Sequence, residues 1–264
     1  MIAVFTPTRR YGGLDLTISS LARQTYEDFT WLVQDELLGT RLGVYDMATI
    51  RHGISVDFLM TPKRPEKYRN LAAAYNQAAQ RAIEIGANYL VSLQDYIWVP
   101  HDGLEMFLEV HDVVPKALVT GLTSHSEKPT KDDIANIKGA YTIFKEPLTS
   151  KPEGISWHDV READLYPEEN IKTIKCKPDH WEANWASIDM EVIRDGLRWD
   201  EDYDIGVAYE NMDFAFRAFK AGATCVLDKR NHAISLPHRT YFEGEEEEIK
   251  EHSNRIMYEQ KCMI

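Results

Sequence analysis

Apolar and polar positions along this chain switch between two periods. Ile2 to Phe5 is a short apolar run closed by Thr6-Pro7-Thr8, which predicts a buried first strand. Leu14, Ile18 and Leu21 recur at helical spacing and predict a helix over Leu14 to Arg23. Phe29 to Val33 predicts a second strand, stopped by Gln34-Asp35-Glu36, and Ser55 to Leu59 a weaker third. Tyr68 to Ile85 is rich in Ala and carries Leu71, Ala74, Tyr75, Ala78 and Ala82 on one side, a helix closed by Gly86. Tyr89 to Leu93 then reads as a fourth strand, ending at Gln94-Asp95-Tyr96. This order of elements within the first hundred residues predicts a mostly parallel, doubly wound α/β sheet.

Past residue 100 the pattern loosens. Ala117 to Leu122 reads as another strand. Residues 124 to 180 are rich in Lys, Glu, Pro and Asp with weak periodicity, and read as long loops over the sheet edge. Order returns at NWASIDMEVI, 184 to 193. A helix is expected from about Glu210 to Ala221, closed by Gly222, followed by strands at 223 to 228 and 232 to 236. Glu245 to Gln260 reads as a charged terminal helix with Ile249, Ile256 and Met257 as its apolar stripe.

Doubly wound sheets bind ligands at the carboxyl ends of their strands. Three strand ends here carry polar groups: Thr6 with Thr8 and Arg9, then Asp35, then Asp95. Asp95 precedes an apolar wall, IWVP, and a carboxylate so placed suits a hard divalent cation shared with a diphosphate. Taken alone, an acidic strand end is more often plain surface. Glu210 and Asp213 stand three apart in the first turn of a helix and so share a face. Acids at that turn also compensate the helix dipole, a purely structural use. Phe214, Phe216 and Phe219 are expected to anchor the turn at a cleft. His238, after the strand HAISLP, reads either as a partner of Asp95 in a metal site or as a polar surface residue.

Composition narrows the class. The 264 residues are 44% apolar and 28% charged, the balance of an ordinary globular protein, which excludes collagen-like, coiled-coil and disordered readings. Asp and Glu outnumber Lys and Arg by 43 to 30, a net charge of −13, which argues against a general binder of nucleic acid or anionic membrane. Cys176, Cys225 and Cys262 are too few and too scattered for a disulfide framework or zinc cluster, so a reducing, cytoplasmic setting is expected. The N-terminus lacks the apolar core of a signal peptide, and no window approaches the ~20 apolar residues of a membrane span.

Four segments in order resemble the GT-A fold glycosyltransferases, closest to family 2. VFTPTRR with LDLTISSLARQTYEDFTWLVQDE resembles the first strand, the "SL..Q" helix and the strand ending in Asp. AAAYNQAAQRAIEIGANYLVSLQDYIWVP resembles the helix and strand that lead to the Asp-x-Asp metal motif. NWASIDMEVIRDGLRWDEDYDIGVAYENMDFAFRAFKAGATCVLD resembles the acceptor-side block, and SLPH the closing His. The acceptor-side block is also similar to that of the polypeptide N-acetylgalactosaminyltransferases. The resemblance covers most of the chain except roughly 124 to 180, and implies one GT-A domain over 1–264. Residues 1–100 would form its nucleotide-sugar half and 101–264 its acceptor half.

The resemblance implies a hexosyltransferase-type enzyme that moves a sugar from a nucleotide-diphosphate sugar, UDP-linked above all, to an acceptor hydroxyl with Mn2+ or Mg2+. Thr6, Pro7 and Arg9 would line the nucleotide pocket, Asp35 would accept a hydrogen bond from the base, and Arg69 or Asn76, with Gln94, would lie near it. Asp95 and His238 would hold the metal, while Glu210, Asn211 and Asp213 would face the acceptor and the sugar. Trp157, His158, Trp181 and Trp185 would be free to stack on a sugar or base. Two departures stand out. Asp-x-Asp is reduced to Gln94-Asp95-Tyr96, and Asn211 replaces the Asp that serves inverting members as base; an amide cannot take that proton. Stereochemistry and acceptor stay open. A modified DNA base remains among the acceptors, through a basic groove around Lys128, Lys131, Lys138 and Lys145, and a binding protein that has lost catalysis is the second class of reading. A nucleotidyltransferase would need a longer Gly-rich loop, with Lys, than Tyr11-Gly12-Gly13.

Overall fold

The computed structural model describes residues 1–9, 13–60, 70–126, 155–166, 171–205, 208–235 and 245–262. Its frame is a ten-stranded sheet. β1 (Ile2–Thr8), β2 (Phe29–Asp35), β3 (Ser55–Phe58) and β4 (Tyr89–Leu93) are joined by helices α1 (Leu14–Leu21), α2 (Leu38–His52) and α3 (Leu71–Glu84). Then come β5 (Ile97–Trp98), α4 (Gly103–Val113), β6 (Ala117–Ser126), β7 (Ile155–Trp157), β8 (Thr173–Lys175), β9 (Trp185–Asp189), α5 (Met190–Arg194), α6 (Glu210–Lys220), β10 (Thr224–Ser235) and α7 (Glu245–Cys262). The strand order is β3-β2-β1-β4-β9-β6-β10-β5, with β7 beside β6 and β8 beside β10.

The first four strands pair in parallel, as the alternation of strands and helices predicts. β9 runs antiparallel between β4 and β6, and β10 runs parallel to β6. The chain turns its order around at β1, which has β2 on one flank and β4 on the other. That is the switch point where a doubly wound sheet opens a crevice.

Strand alternation sends one set of side chains to each face. Ala3, Phe5, Leu32 and Leu90 pack against α3, Trp199 and Phe214. Ile2, Val4, Trp31, Val33 and Val91 pack against α1, α2 and α4. Gln24, the Gln of the "SL..Q" helix, is scaffold: its amide donates to the Ser20 and Pro100 carbonyls and accepts from the Leu104 N–H at the start of α4.

Several expectations need correction. α2 breaks no strand signal, yet its apolar stripe is thin: Tyr45 and Ala48 are buried while Leu42 and Ile50 face solvent, and Gly39 and Gly43 dilute helical propensity. The two strands expected at 223 to 228 and 232 to 236 are one strand, β10, with a register shift between Asp228 and His232. At that shift Asn231 backs onto Gly121, where a Cβ would lie 2.2 Å from the Asn231 carbonyl oxygen. Trp181 and Trp185 are fully buried, so neither is free to stack on a ligand; Trp185 donates its indole N–H to Asn231. On α7, Ile256 is exposed, Met257 packs as expected, and Asn254, Tyr258 and Cys262 complete the contact face. The Ile249 side chain, the Trp157 side chain and Lys128, Lys131, Lys138 and Lys145 lie outside the described residues. All three cysteines are buried free thiols.

Candidate active site

A cavity opens at the carboxyl ends of β1, β2 and β4. Its walls are Pro7, Thr8, Arg9, Gln34, Glu36, Asn70, Leu71, Ala74, Gln94 and Asp95. Pro7 and Arg9 are thus where the resemblance implies, and Gln94 and Asp95 stand opposite them. The Thr8 hydroxyl donates to Asp95 Oδ2 at 2.9 Å and ties β1 to the end of β4. Arg9 reaches Glu36 at 3.7 Å.

The cavity wall carries two buried amide oxygens that no donor reaches among the described residues, Gln34 Oε1 and Asn70 Oδ1. Gln34 is 4% exposed and Asn70 9%. An unmet buried acceptor costs about 1–3 kcal/mol unless a water or a ligand in the cavity completes its hydrogen bonding. Asn70 is held there by backbone geometry: its φ is 57, left-handed, just before α3 begins. The α3 N-terminus does not use Asn70 as its cap. Asp204, from the short helix Glu201–Ile205, accepts from the Ala72 and Ala73 N–H groups at 2.7 and 3.1 Å.

Other site residues of the sequence reading sit elsewhere. Thr6 and Asp35 point to the opposite face of the sheet from Pro7 and Gln34, because strand neighbours alternate. The Thr6 hydroxyl accepts from the Trp31 indole at 2.9 Å. Asp35 accepts from the Leu37 N–H and the Tyr45 hydroxyl, each at 2.7 Å, and does not line the cavity. Asn76 faces away from the cavity and grips Trp199, accepting from its N–H at 2.8 Å and donating to its carbonyl at 3.0 Å. Arg69 and His238 lie outside the described residues.

At the start of α6 the two acids part company. Glu210 is buried and accepts from Asn211 Nδ2 at 3.1 Å. Its charge bears on the Tyr75 phenol, which also hydrogen bonds Gln94 of the cavity wall; burial first, then Glu210, pushes that phenol far above its usual range. Asp213 turns the other way. It pairs with Arg217 at 2.6 Å and accepts from the Cys262 thiol of α7 at 3.4 Å. The two carboxylates of the turn thus take different partners. Only Phe214 anchors the turn in the main core; Phe216 is half-buried under Lys220 and Phe219 is exposed.

Tyr96, which follows Asp95 in the reduced motif, is buried with φ 63 and packs its ring on Gly13, φ 81. A Cβ on Gly13 would meet that ring at 2.8 Å, so the glycine is required twice over. Among the described residues no group of three or more metal-ligating side chains gathers. Asp95 still fits the requirement for one carboxylate at a cavity wall, since Mg2+ is commonly held by one or two carboxylates with substrate phosphates completing its shell.

Sequence reasoning missed Gln34, Asn70 and Trp199. Gln34 was legible in principle, because strand period sets it on the Pro7 face; Asn70 and Trp199 needed the tertiary fold.

A crevice at the β1/β4 switch point, under a sheet whose β9 runs against its neighbours, defines the GT-A fold that the sequence resembles. No family model and no curated protein matches the chain. Solved structures do. S. aureus TarS 1-349 in complex with UDP-GlcNAc superposes with a TM-score of 0.56 at 12% identity, over 94% of this chain and 60% of that one. The same fragment in complex with UDP gives 0.55 at 12% identity, over 89% and 60%. GalNAc-T7 with UDP, GalNAc and Mn2+ gives 0.61 at 13% identity, over 89% and 44%. At these identities the likeness is one of fold, and the chain spans less than two thirds of either protein's length.

Proposed function

We propose that this chain is a glycosyltransferase that binds a UDP-sugar in the cavity between β1, β2 and β4 and transfers the sugar to an acceptor hydroxyl. The observation that carries the reading is the pair of unmet buried acceptors, Gln34 Oε1 and Asn70 Oδ1, in a cavity whose far wall is Asp95. A uracil edge offers an imide N–H flanked by carbonyls. A primary amide is its complement, accepting that N–H and donating to the neighbouring carbonyl. The solved structures of the same fold that bind UDP or UDP-GlcNAc support the uridine choice.

In this reading Gln34 and Asn70 bind the base. Pro7 flanks it, and Arg9 faces the phosphates. Asp95, with His238 as second ligand, would hold a divalent cation, whose charge would stabilise the diphosphate leaving group. Thr8 keeps Asp95 oriented through its hydroxyl. Glu210 either deprotonates the acceptor or stabilises positive charge on the sugar. Asn211 takes no proton, so the base of the inverting members has no counterpart at that position. The acceptor half, including 124–180, would choose the hydroxyl.

Calorimetry with UDP and Mn2+ tests the reading, followed by release of free UDP from a panel of UDP-sugars. The parent should bind UDP more tightly with metal, and Asp95→Asn should lose that metal-dependent gain while staying folded. UDP affinity indifferent to both chelator and Asp95→Asn would remove Asp95 from the metal site. Binding without turnover of any donor would leave a nucleotide-binding protein.

A further inference from the structure

Asn211 makes two hydrogen bonds whose directions fix one another. The Trp199 indole N–H is a donor only, and it lies 3.0 Å from the Asn211 side-chain oxygen. That contact orients the amide, so its NH2 must face the other way, where Glu210 Oε1 stands at 3.1 Å. Trp199 is itself held at every point. Its ring is sandwiched between Tyr75 at 4.8 Å and Phe214 at 3.7 Å, nearly parallel to both. Its backbone N–H and carbonyl are both gripped by Asn76 of α3. A rigid line therefore runs from α3, whose first turn borders the cavity, through Trp199 and Asn211 to one carboxylate.

We propose that Asn211 is a positioning residue, which the Trp199 indole locks so that its NH2 holds the Glu210 carboxylate in one orientation. This rests on the sugar-transfer reading of the site, in which Glu210 acts on the reacting groups. The line explains why an amide stands at 211. An Asp there would still accept from the indole, but would turn a second negative charge on Glu210. A Leu would break both bonds. Asn alone accepts from one side and donates to the other at this size.

The test combines kinetics with the Trp199 indole N–H signal in a 15N correlation spectrum, where six tryptophans give a sparse field. Asn211→Asp should lower kcat about tenfold, as expected for a misplaced reacting group, with the donor KM little changed. Trp199→Phe keeps the ring stack and frees the amide to flip, and should lower kcat by a smaller factor, again at constant KM. The indole signal should move upfield in Asn211→Leu, downfield in Asn211→Asp, and should also shift in Glu210→Gln, because the amide transmits the loss of the carboxylate. A purely structural Asn211 would lower the melting temperature and leave kcat per folded molecule and the response to Glu210→Gln unchanged, which overturns the proposal. If the parent releases no UDP from any donor, the sugar-transfer reading fails. The indole shifts then decide alone whether Trp199 and Asn211 clamp Glu210, and their absence overturns the clamp.

Discussion

Two regions of this molecule bury polar groups to the same depth and treat them in opposite ways. Around Arg161, 2% exposed, every guanidinium N–H has a taker. Nε and Nη2 bond Asp159, Nη1 bonds Thr120 Oγ1 and the His180 carbonyl, and Nη2 also bonds the Gly121 carbonyl. Burial alone would raise the Asp159 carboxyl, but the Arg161 bonds outweigh it and hold the group below the usual carboxylate range. At the cavity, Gln34 and Asn70 are nearly as buried, yet each keeps an oxygen without a donor among the described residues. The first region is closed on itself and ties the 159–161 segment to β6 at Thr120 and Gly121. The second is left open towards the cavity. Burial of a polar side chain thus does not separate scaffold from site; the state of its hydrogen bonds beside a cavity does.

The largest effect should come from breaking the closed region. Arg161→Ala should cost about 3–5 kcal/mol of stability, because it leaves the Asp159 charge buried without its partner. Urea unfolding read by tryptophan fluorescence measures it. Replacing both residues by Leu should recover much of the loss, since a buried pair often contributes little over apolar residues of similar size. A single variant within 1 kcal/mol of the parent would mean that the pair is not the closed unit described.

His111 sharpens the comparison as an intermediate case. Its Nε2 bonds Ser187 Oγ at 2.8 Å, its ring stacks on Tyr89, and its Nδ1 has no partner among the described residues. It does not line the cavity of the candidate site, so an orphan atom alone marks no ligand. Burial lowers its pKa from 6.5 to about 4. Above the unfolded value both states are neutral and the native state is favoured in full. As pH falls from 6.5 towards 4 only the unfolded chain takes up the proton, and about 3 kcal/mol of stability should be lost over that window. His111→Phe should flatten that part of the stability–pH curve; a curve of unchanged slope would sink the assignment.

Gln34→Leu probes the open region directly. It removes an amide with an unmet acceptor, so stability should hold or rise slightly, while UDP affinity falls about tenfold, the worth of one well-placed hydrogen bond. Loss of stability with affinity intact would reverse the roles of the two regions.

How far the sequence reveals each region follows from the same contrast. The regular half was legible: β1 to β4, α1 and α3 follow from period and punctuation, since local pattern sets which face is buried. Pro7, Arg9, Gln94 and Asp95 were legible as cavity residues because strand ends in such a sheet point to one edge. Asp35 carries the charge, but the period of 2 along β2 puts Gln34, with Pro7 of β1, on the cavity side. The Arg161 cluster was illegible, since its partners lie at 120, 121, 159 and 180, joined only by the fold. Asn76 and Asp213 carry the right residue types at the right spacing, and their partners lie away from the described cavity: Trp199 grips Asn76, while Asp213 pairs with Arg217 one turn on and with Cys262 of α7.

Asp213 gives the smallest expected effect and the finest test of the division between scaffold and site. Glu210 and Asp213 share a helix turn, a charge and near-complete burial, so sequence spacing treats them as equals. Their partners do not. Asp213 faces Arg217, half-buried, and the Cys262 thiol on α7, a closed arrangement that joins α6 to the C-terminal helix. Burial first, and the Asp213 charge next, push the Cys262 thiol up to about 11, so it stays a neutral donor to that carboxylate. Asp213→Asn keeps the shape and loses only the charge against a partly solvated Arg217, so stability should fall by about 1 kcal/mol. The rate of sugar release per folded molecule should change by less than about twofold, whereas Glu210→Gln should lower it more than about tenfold with UDP affinity unchanged. Parallel stopped assays on the two variants, each corrected for folded fraction by chemical denaturation, give the ratio. If Asp213→Asn slows transfer as much as Glu210→Gln, the ion pair with Arg217 opens during turnover, and Asp213 belongs to the site after all.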